Sequence, residues 1–70
     1  MTIIFDYLFT RTADEFICRV PVRFWGENVI LGKGVSADAD NTPGIDLHQW
    51  IGKSLKVNID EGVYTITGLV

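Results

Sequence analysis

The sequence predicts an all-β domain: a small five-stranded antiparallel barrel or rolled sheet, SH3-like or OB-like, with one short helical turn at about residues 46–52. Three observations carry this. Apolar residues alternate with a period of two, β-branched and aromatic residues are abundant, and Gly- or Asp-containing turns punctuate the chain at short intervals.

The first strand is read over residues 2–10, with Ile3, Phe5, Tyr7 and Phe9 on one face and Thr2, Ile4, Asp6 and Leu8 on the other. The second spans 15–25, with Phe16, Cys18, Val20, Val22 and Phe24 inward and Ile17, Arg19, Pro21, Arg23 and Trp25 outward. A turn over Arg11–Asp14 would pair Phe9 with Phe16, Tyr7 with Cys18 and Phe5 with Val20, so that the two apolar faces coincide; a slip of one residue would turn one of them outward. The same register sets Asp6 opposite Arg19 on the outer face. Pro21 cannot donate to a ladder and marks a bulge or an unpaired site.

Gly26-Glu27 is expected as a two-residue type II′ turn, bringing Val29 and Leu31 beside Phe24 and Val22. Residues 32–46, with three glycines, a proline and small polar residues, form a long loop, and a loop of that length in so small a domain is either functional or mobile. Asp46 caps a helical turn over Leu47–Ile51 that Gly52 stops, and Trp50 plugs one end of the barrel. Ser54–Ile59 and Val63–Val70 close a last hairpin across Asp60-Glu61-Gly62, pairing Ile59 with Tyr64 and Val57 with Ile66. Leu55, Val57, Ile59, Tyr64 and Ile66 face the core; Lys56, Asn58, Thr65 and Thr67 face solvent.

Length and charge bound the function. Seventy residues make one domain, 1–70, too small for a Rossmann unit with a substrate lobe. A chain of this size buries only about 60% of its unfolded surface, so it needs a dense core or a partner. Six Lys and Arg against nine Asp and Glu give a net charge of −3, which opposes generic attraction to phosphate backbones. One cysteine excludes an intramolecular disulfide framework, and no signal peptide or membrane-length apolar run is read. A reducing cytoplasm is the expected compartment.

The candidate chemistries are weak. Cys18 and His48 are the only thiol and imidazole, but Cys18 falls on the inward face of its strand, where a cysteine acts as a small hydrophobe. Asp38, Asp40 and Thr42 suggest a calcium loop, yet its sixth and twelfth positions are Pro43 and Gln49 where Gly and Glu are required. One Cys and one His fall short of a zinc set. Asp14-Glu15 and Asp60-Glu61 lie in turns, and Gly32-Lys33-Gly34 lacks a phosphate-loop pattern. No catalytic residue, metal or cofactor is assigned.

The outer face of the first two strands stands out instead. Ile4, Leu8, Ile17 and Trp25, flanked by Arg19 and Arg23, are more apolar than solubility requires, and Ile30 adds to the surplus. The expectation is a non-enzymatic protein-binding module that uses this face and the 32–46 loop. Its partner is another protein or a second copy of the chain, and its size and charge suit a small regulator or inhibitor of a larger assembly of phage or mobile-element type. The alternative is a single-stranded nucleic-acid-binding barrel using Trp25, Arg19 and Arg23, against which the net charge counts.

Overall fold

A computed structural model of the chain describes residues 1–38, 42 and 44–70. Its strands are β1 (Thr2–Ile4), β2 (Phe9–Arg11), β3 (Phe16–Cys18), β4 (Val22–Phe24), β5 (Ser36–Ala37), β6 (Ser54–Asp60) and β7 (Val63–Leu69). A short helix, α1 (Phe5–Leu8), and a 3-10 turn (Leu47–Trp50) complete the elements. The chain is therefore all-β in the broad sense, but the strands do not close into one five-stranded barrel. They divide into a four-stranded sheet, β1-β6-β7-β4, and a three-stranded sheet, β2-β3-β5, and β4 runs parallel to β7.

Two sheets arise because both long strands expected from the sequence break. Residues 2–10 do not run straight: α1 interrupts them, and Phe9 N–H donates to Phe5 O at its end. Phe5, Leu8 and Phe9 are spaced i, i+3, i+4, so one helical turn buries all three. An extended chain would have buried Tyr7, which is 46% exposed, and turned Leu8 outward, which is 0% exposed. The second break falls at Arg19–Pro21, where proline has no N–H to give and the chain leaves β3 for β4 in the other sheet. The alternation survives that crossing: Phe16, Cys18, Val22 and Phe24 are all buried.

The β2–β3 register is Phe9↔Cys18, Thr10↔Ile17 and Arg11↔Phe16, two residues away from the expected pairing of Phe9 with Phe16. The loop keeps four residues but lies one later, at 12–15, closed by Thr12 N–H donating to Glu15 O (2.9 Å) and Glu15 N–H donating to Thr12 Oγ1 (3.0 Å). A slip of two preserves the facing of every side chain. Residues 32–46 are not wholly irregular either. β5 pairs with the open edge of β3, with Phe16 opposite Ala37, and Gly34 N–H donates to Cys18 O (2.8 Å).

The turn after β4 lies one residue earlier than expected. Glu27 N–H donates to Phe24 O (3.0 Å), which places Gly26, φ +82°, at the second central position rather than the first. Leu31 still reaches Val22 through reciprocal backbone bonds, but Val29 lies exposed. The C-terminal hairpin follows expectation, with Ile59↔Tyr64 and Val57↔Ile66 across a Glu61-Gly62 turn in which both residues take positive φ. Asp46 accepts from His48 N–H and caps the 3-10 turn, which stops one residue short of the expected helical turn.

The core lies between the sheets, with Phe5, Leu8, Phe9, Val22, Leu55 and Val57 at its centre. Phe5 stacks on Phe9 and meets Phe16 edge-on. Trp50 is half-buried against Phe24, ring centroids 6.0 Å apart. Ile59, expected inward, is 44% exposed at the hairpin end. Thr65, expected outward, is buried because the Arg23 guanidinium lies over it, Nε donating to Thr65 Oγ1 (3.2 Å). Among the described residues, no helix is long and apolar enough to cross a membrane.

Candidate interaction surface

The four-stranded sheet covers the core with one face only. Its inward residues are Ile3, Leu55, Val57, Ile66, Val22 and Phe24, so their neighbours along each strand point away. Register then arranges this outer face in rows. Ile4 stands opposite Ser54 at one edge, Thr2, Lys56 and Gly68 make the next row, and Asn58, Thr65 and Arg23 a third. Trp25 continues from β4 with its N–H donating to Ile66 O (2.9 Å), and is 73% exposed. Ile30, one residue before the Leu31–Val22 bridge, comes beside Arg23 by the same register and is 49% exposed. Ile4, at 60%, is separated from the β4 edge by three inter-strand spacings, about 14 Å.

The middle of the face is low. Gly68 sits in it, and a Cβ built there would meet nothing within 4 Å. The result is a shallow surface with exposed apolar side chains at both edges, Lys56 on its floor and the Arg23–Thr65 pair beside Trp25.

The structure thus divides the residues that the alternation groups together. Ile4, Arg23 and Trp25 share the outer face of the four-stranded sheet. Leu8 belongs to no surface: α1 turns it into the core, and an extended reading of residues 2–10 is what misplaced it. Ile17 is half-buried on the outer side of the three-stranded sheet, between Thr10 and Ser36. Arg19 is exposed but held against α1, its Nη1 donating to Asp6 O (2.9 Å) and its own N–H to Leu8 O (2.8 Å). Asp6 and Arg19 therefore do meet, through the Asp6 backbone carbonyl. The three-residue set for base stacking is split as well, Arg19 tied to α1 and Arg23 to β7.

A second feature escapes sequence reading. A concavity of about 380 Å³ opens between the 12–15 loop and the 3-10 turn, with Phe16, Ala37 and Leu47 at its floor and Asp14, Glu15 and Asp46 at its rim. His48 stands over it, edge-on to Phe16 at 5.0 Å and with Nδ1 3.3 Å from Asp46 Oδ1. That contact is largely solvated and adds little. The Asp46 carboxylate is already engaged as the cap of the 3-10 turn. Segments 14–16 and 46–48 meet here only through the fold, and isolated acids in predicted turns gave no sign of it. Of the run read against a calcium loop, Asp40 and Pro43 lie outside the described residues.

The single thiol points into the core. Cys18 is buried opposite Phe9, and burial raises its pKa to about 11, so it stays protonated at neutral pH. At the far end of the core, Tyr7 and Tyr64 approach with ring centroids 6.1 Å apart, and their hydrogen bond holds the Tyr64 hydroxyl above the ordinary tyrosine range.

Comparison of the chain with protein-family models, with curated proteins and with solved structures finds no match in any of the three.

Proposed function

We propose that this chain is a non-enzymatic protein-binding module whose contact surface is the outer face of the four-stranded sheet. The single observation behind the reading is that Trp25, Ile4 and Ile30 lie 73%, 60% and 49% exposed on that one face. Large apolar side chains left open on one face, with tryptophan and arginine among them, are the composition of protein-contact surfaces. A role as a regulator or inhibitor of a larger assembly is part of this proposal and rests on size and charge alone.

The face replaces the surface expected from sequence, because Leu8 is inside and Ile17 and Arg19 belong to other surfaces. It retains Ile4, Arg23 and Trp25. Single-stranded nucleic acid is the less favoured occupant. Only one exposed aromatic stands on the face, and the aliphatic Ile4 and Ile30 offer nothing to a phosphate chain.

The test is a paired capture from extract with the wild-type chain and Trp25→Ala. The expected result is a protein retained near one-to-one by the wild type and lost by the variant, with thermal unfolding unchanged because Trp25 packs on nothing in the core. Equal retention of every captured protein by both chains would overturn the face.

A further inference from the structure

Resting on that reading of the face, we infer that its partner presents an extended or helical segment in which carboxylates alternate with apolar side chains. The warrant is where the charges lie. The face carries Lys56 at the centre of its floor and Arg23 beside Trp25, and the register places a single acid on it, Asp60, at the hairpin end away from Ile4. Of the other acids, Asp14, Glu15 and Asp46 rim the concavity by the 3-10 turn, Glu61 sits in the β6–β7 turn, Asp6 lies on α1 and Glu27 closes the turn after Trp25. Two cations against one acid give the strands of this face a formal charge of +1 in a chain of net charge −3.

The two cations differ in use. Arg23 spends its Nε on Thr65, which leaves its terminal N–H groups to meet a carboxylate. Lys56 is exposed on a flexible stem next to the bare Gly68 and can reach a carboxylate anywhere over the floor. Ile4 on one side, and Trp25 with Ile30 on the other, supply apolar contact at both ends of that span. Between Ile4 and Trp25, three strands across and two to three residues along, the span is about 16 Å, which a segment crosses in about five residues if extended or about eleven if helical. Opposite charge at the rim of such a contact mainly fixes orientation and speeds association, and the apolar ends supply affinity.

The experiment selects binders from a random twelve-residue peptide library against the intact chain. The tightest peptides are then measured by fluorescence anisotropy with the wild type, Trp25→Ala, Lys56→Glu and Gly68→Glu. Gly68→Glu is sterically allowed, since its Cβ meets open space and its φ lies outside the left-handed region. The expected result is enrichment of Asp and Glu interspersed with apolar residues. Lys56→Glu and Gly68→Glu should each weaken binding by about tenfold, and Trp25→Ala by more. Peptides that lose binding with Trp25→Ala but show no acid enrichment and ignore Lys56→Glu would overturn this inference and leave the face standing. Peptides indifferent to all three variants would overturn both. Failure to select any peptide would overturn the inference, as would tighter binding of a twenty-residue thymidine oligonucleotide that Lys56→Glu abolishes, which would assign the face to nucleic acid.

Discussion

Residues 2–11 and residues 54–69 both contribute strands to the four-stranded sheet, and they solve different geometric problems. The C-terminal stretch stays in one sheet: β6 and β7 pair along their length, turn over Glu61-Gly62, and keep a period of two with one bulge at Lys56/Val57. The N-terminal stretch must serve both sheets, β1 at the edge of one and β2 at the edge of the other. It makes the transfer through a single helical turn, and for those four residues the buried positions follow helical rather than strand spacing. In a domain of this size, an elbow of one turn lets the same ten residues line two sheets and still deliver Phe5, Leu8 and Phe9 to one core. The contrast teaches that the apolar content of a segment does not set its period. The destination of its two ends does.

The strongest way to break this comparison is Leu8→Ala. If α1 is the elbow, the substitution empties the centre of the core and costs about 3 kcal/mol, a large part of the stability of a small domain. Tyr7→Ala, exposed on the same turn, should cost much less. Urea unfolding of the two variants decides it, and a loss for Tyr7→Ala as large as or larger than that for Leu8→Ala would mean that Leu8 is not the residue this turn delivers to the core.

Next in size is a pH effect confined to the N-terminal half. Cys18, packed opposite Phe9, has its pKa raised from 9.0 to about 11 by burial. The unfolded thiol ionises first, so above pH 9 the unfolded state binds fewer protons and stability falls as pH rises. The loss begins near pH 9 and is complete near pH 11, at about 2–3 kcal/mol. Below pH 9 the group contributes no slope. Cys18→Ala should flatten this part of the profile relative to the wild type, and an unchanged slope would mean that the thiol is accessible in the fold.

The smallest effect sharpens the other half. Gly62 holds φ +80° in the β6–β7 turn, so Gly62→Ala should destabilise by about 1 kcal/mol, while Glu61→Gly, at φ +53°, should stabilise by a few tenths. Thermal melts of the pair would show opposite shifts. Shifts of the same sign would mean that the turn is not of the mirror-image type that a two-residue hairpin uses.

These differences explain what could be read in advance. The last hairpin, the Asp46 cap, the Val22–Leu31 pairing and the inward face of residues 16–24 were legible because local signals agree there: one turn, one cap, one period. Residues 2–9 were not, because Ile3, Ile4, Phe5, Tyr7, Leu8 and Phe9 fit a strand and a helix equally well, and only the need to reach a second sheet chooses between them. The outward facing of Ile4, Arg23 and Trp25 was legible because each neighbours a core residue in a true strand. Leu8 was lost with the elbow, and Arg19 with the Pro21 break. The concavity under His48 was invisible because it joins segments some thirty residues apart that carry no shared pattern.

The placement of β6 has a consequence for how the molecule comes into being. β6 is the interior strand against which β1 lies, and Met1 and Val57, 56 residues apart, share a backbone contact. β4 likewise waits for β7, across 42 residues from Arg23 to Thr65. β1, and the side of β4 that faces β7, have no partner until residues 54–69 have left the ribosome. Assembly of the larger sheet is therefore a late event with high contact order and correspondingly slow kinetics, whereas β2, β3 and β5 can pair before it.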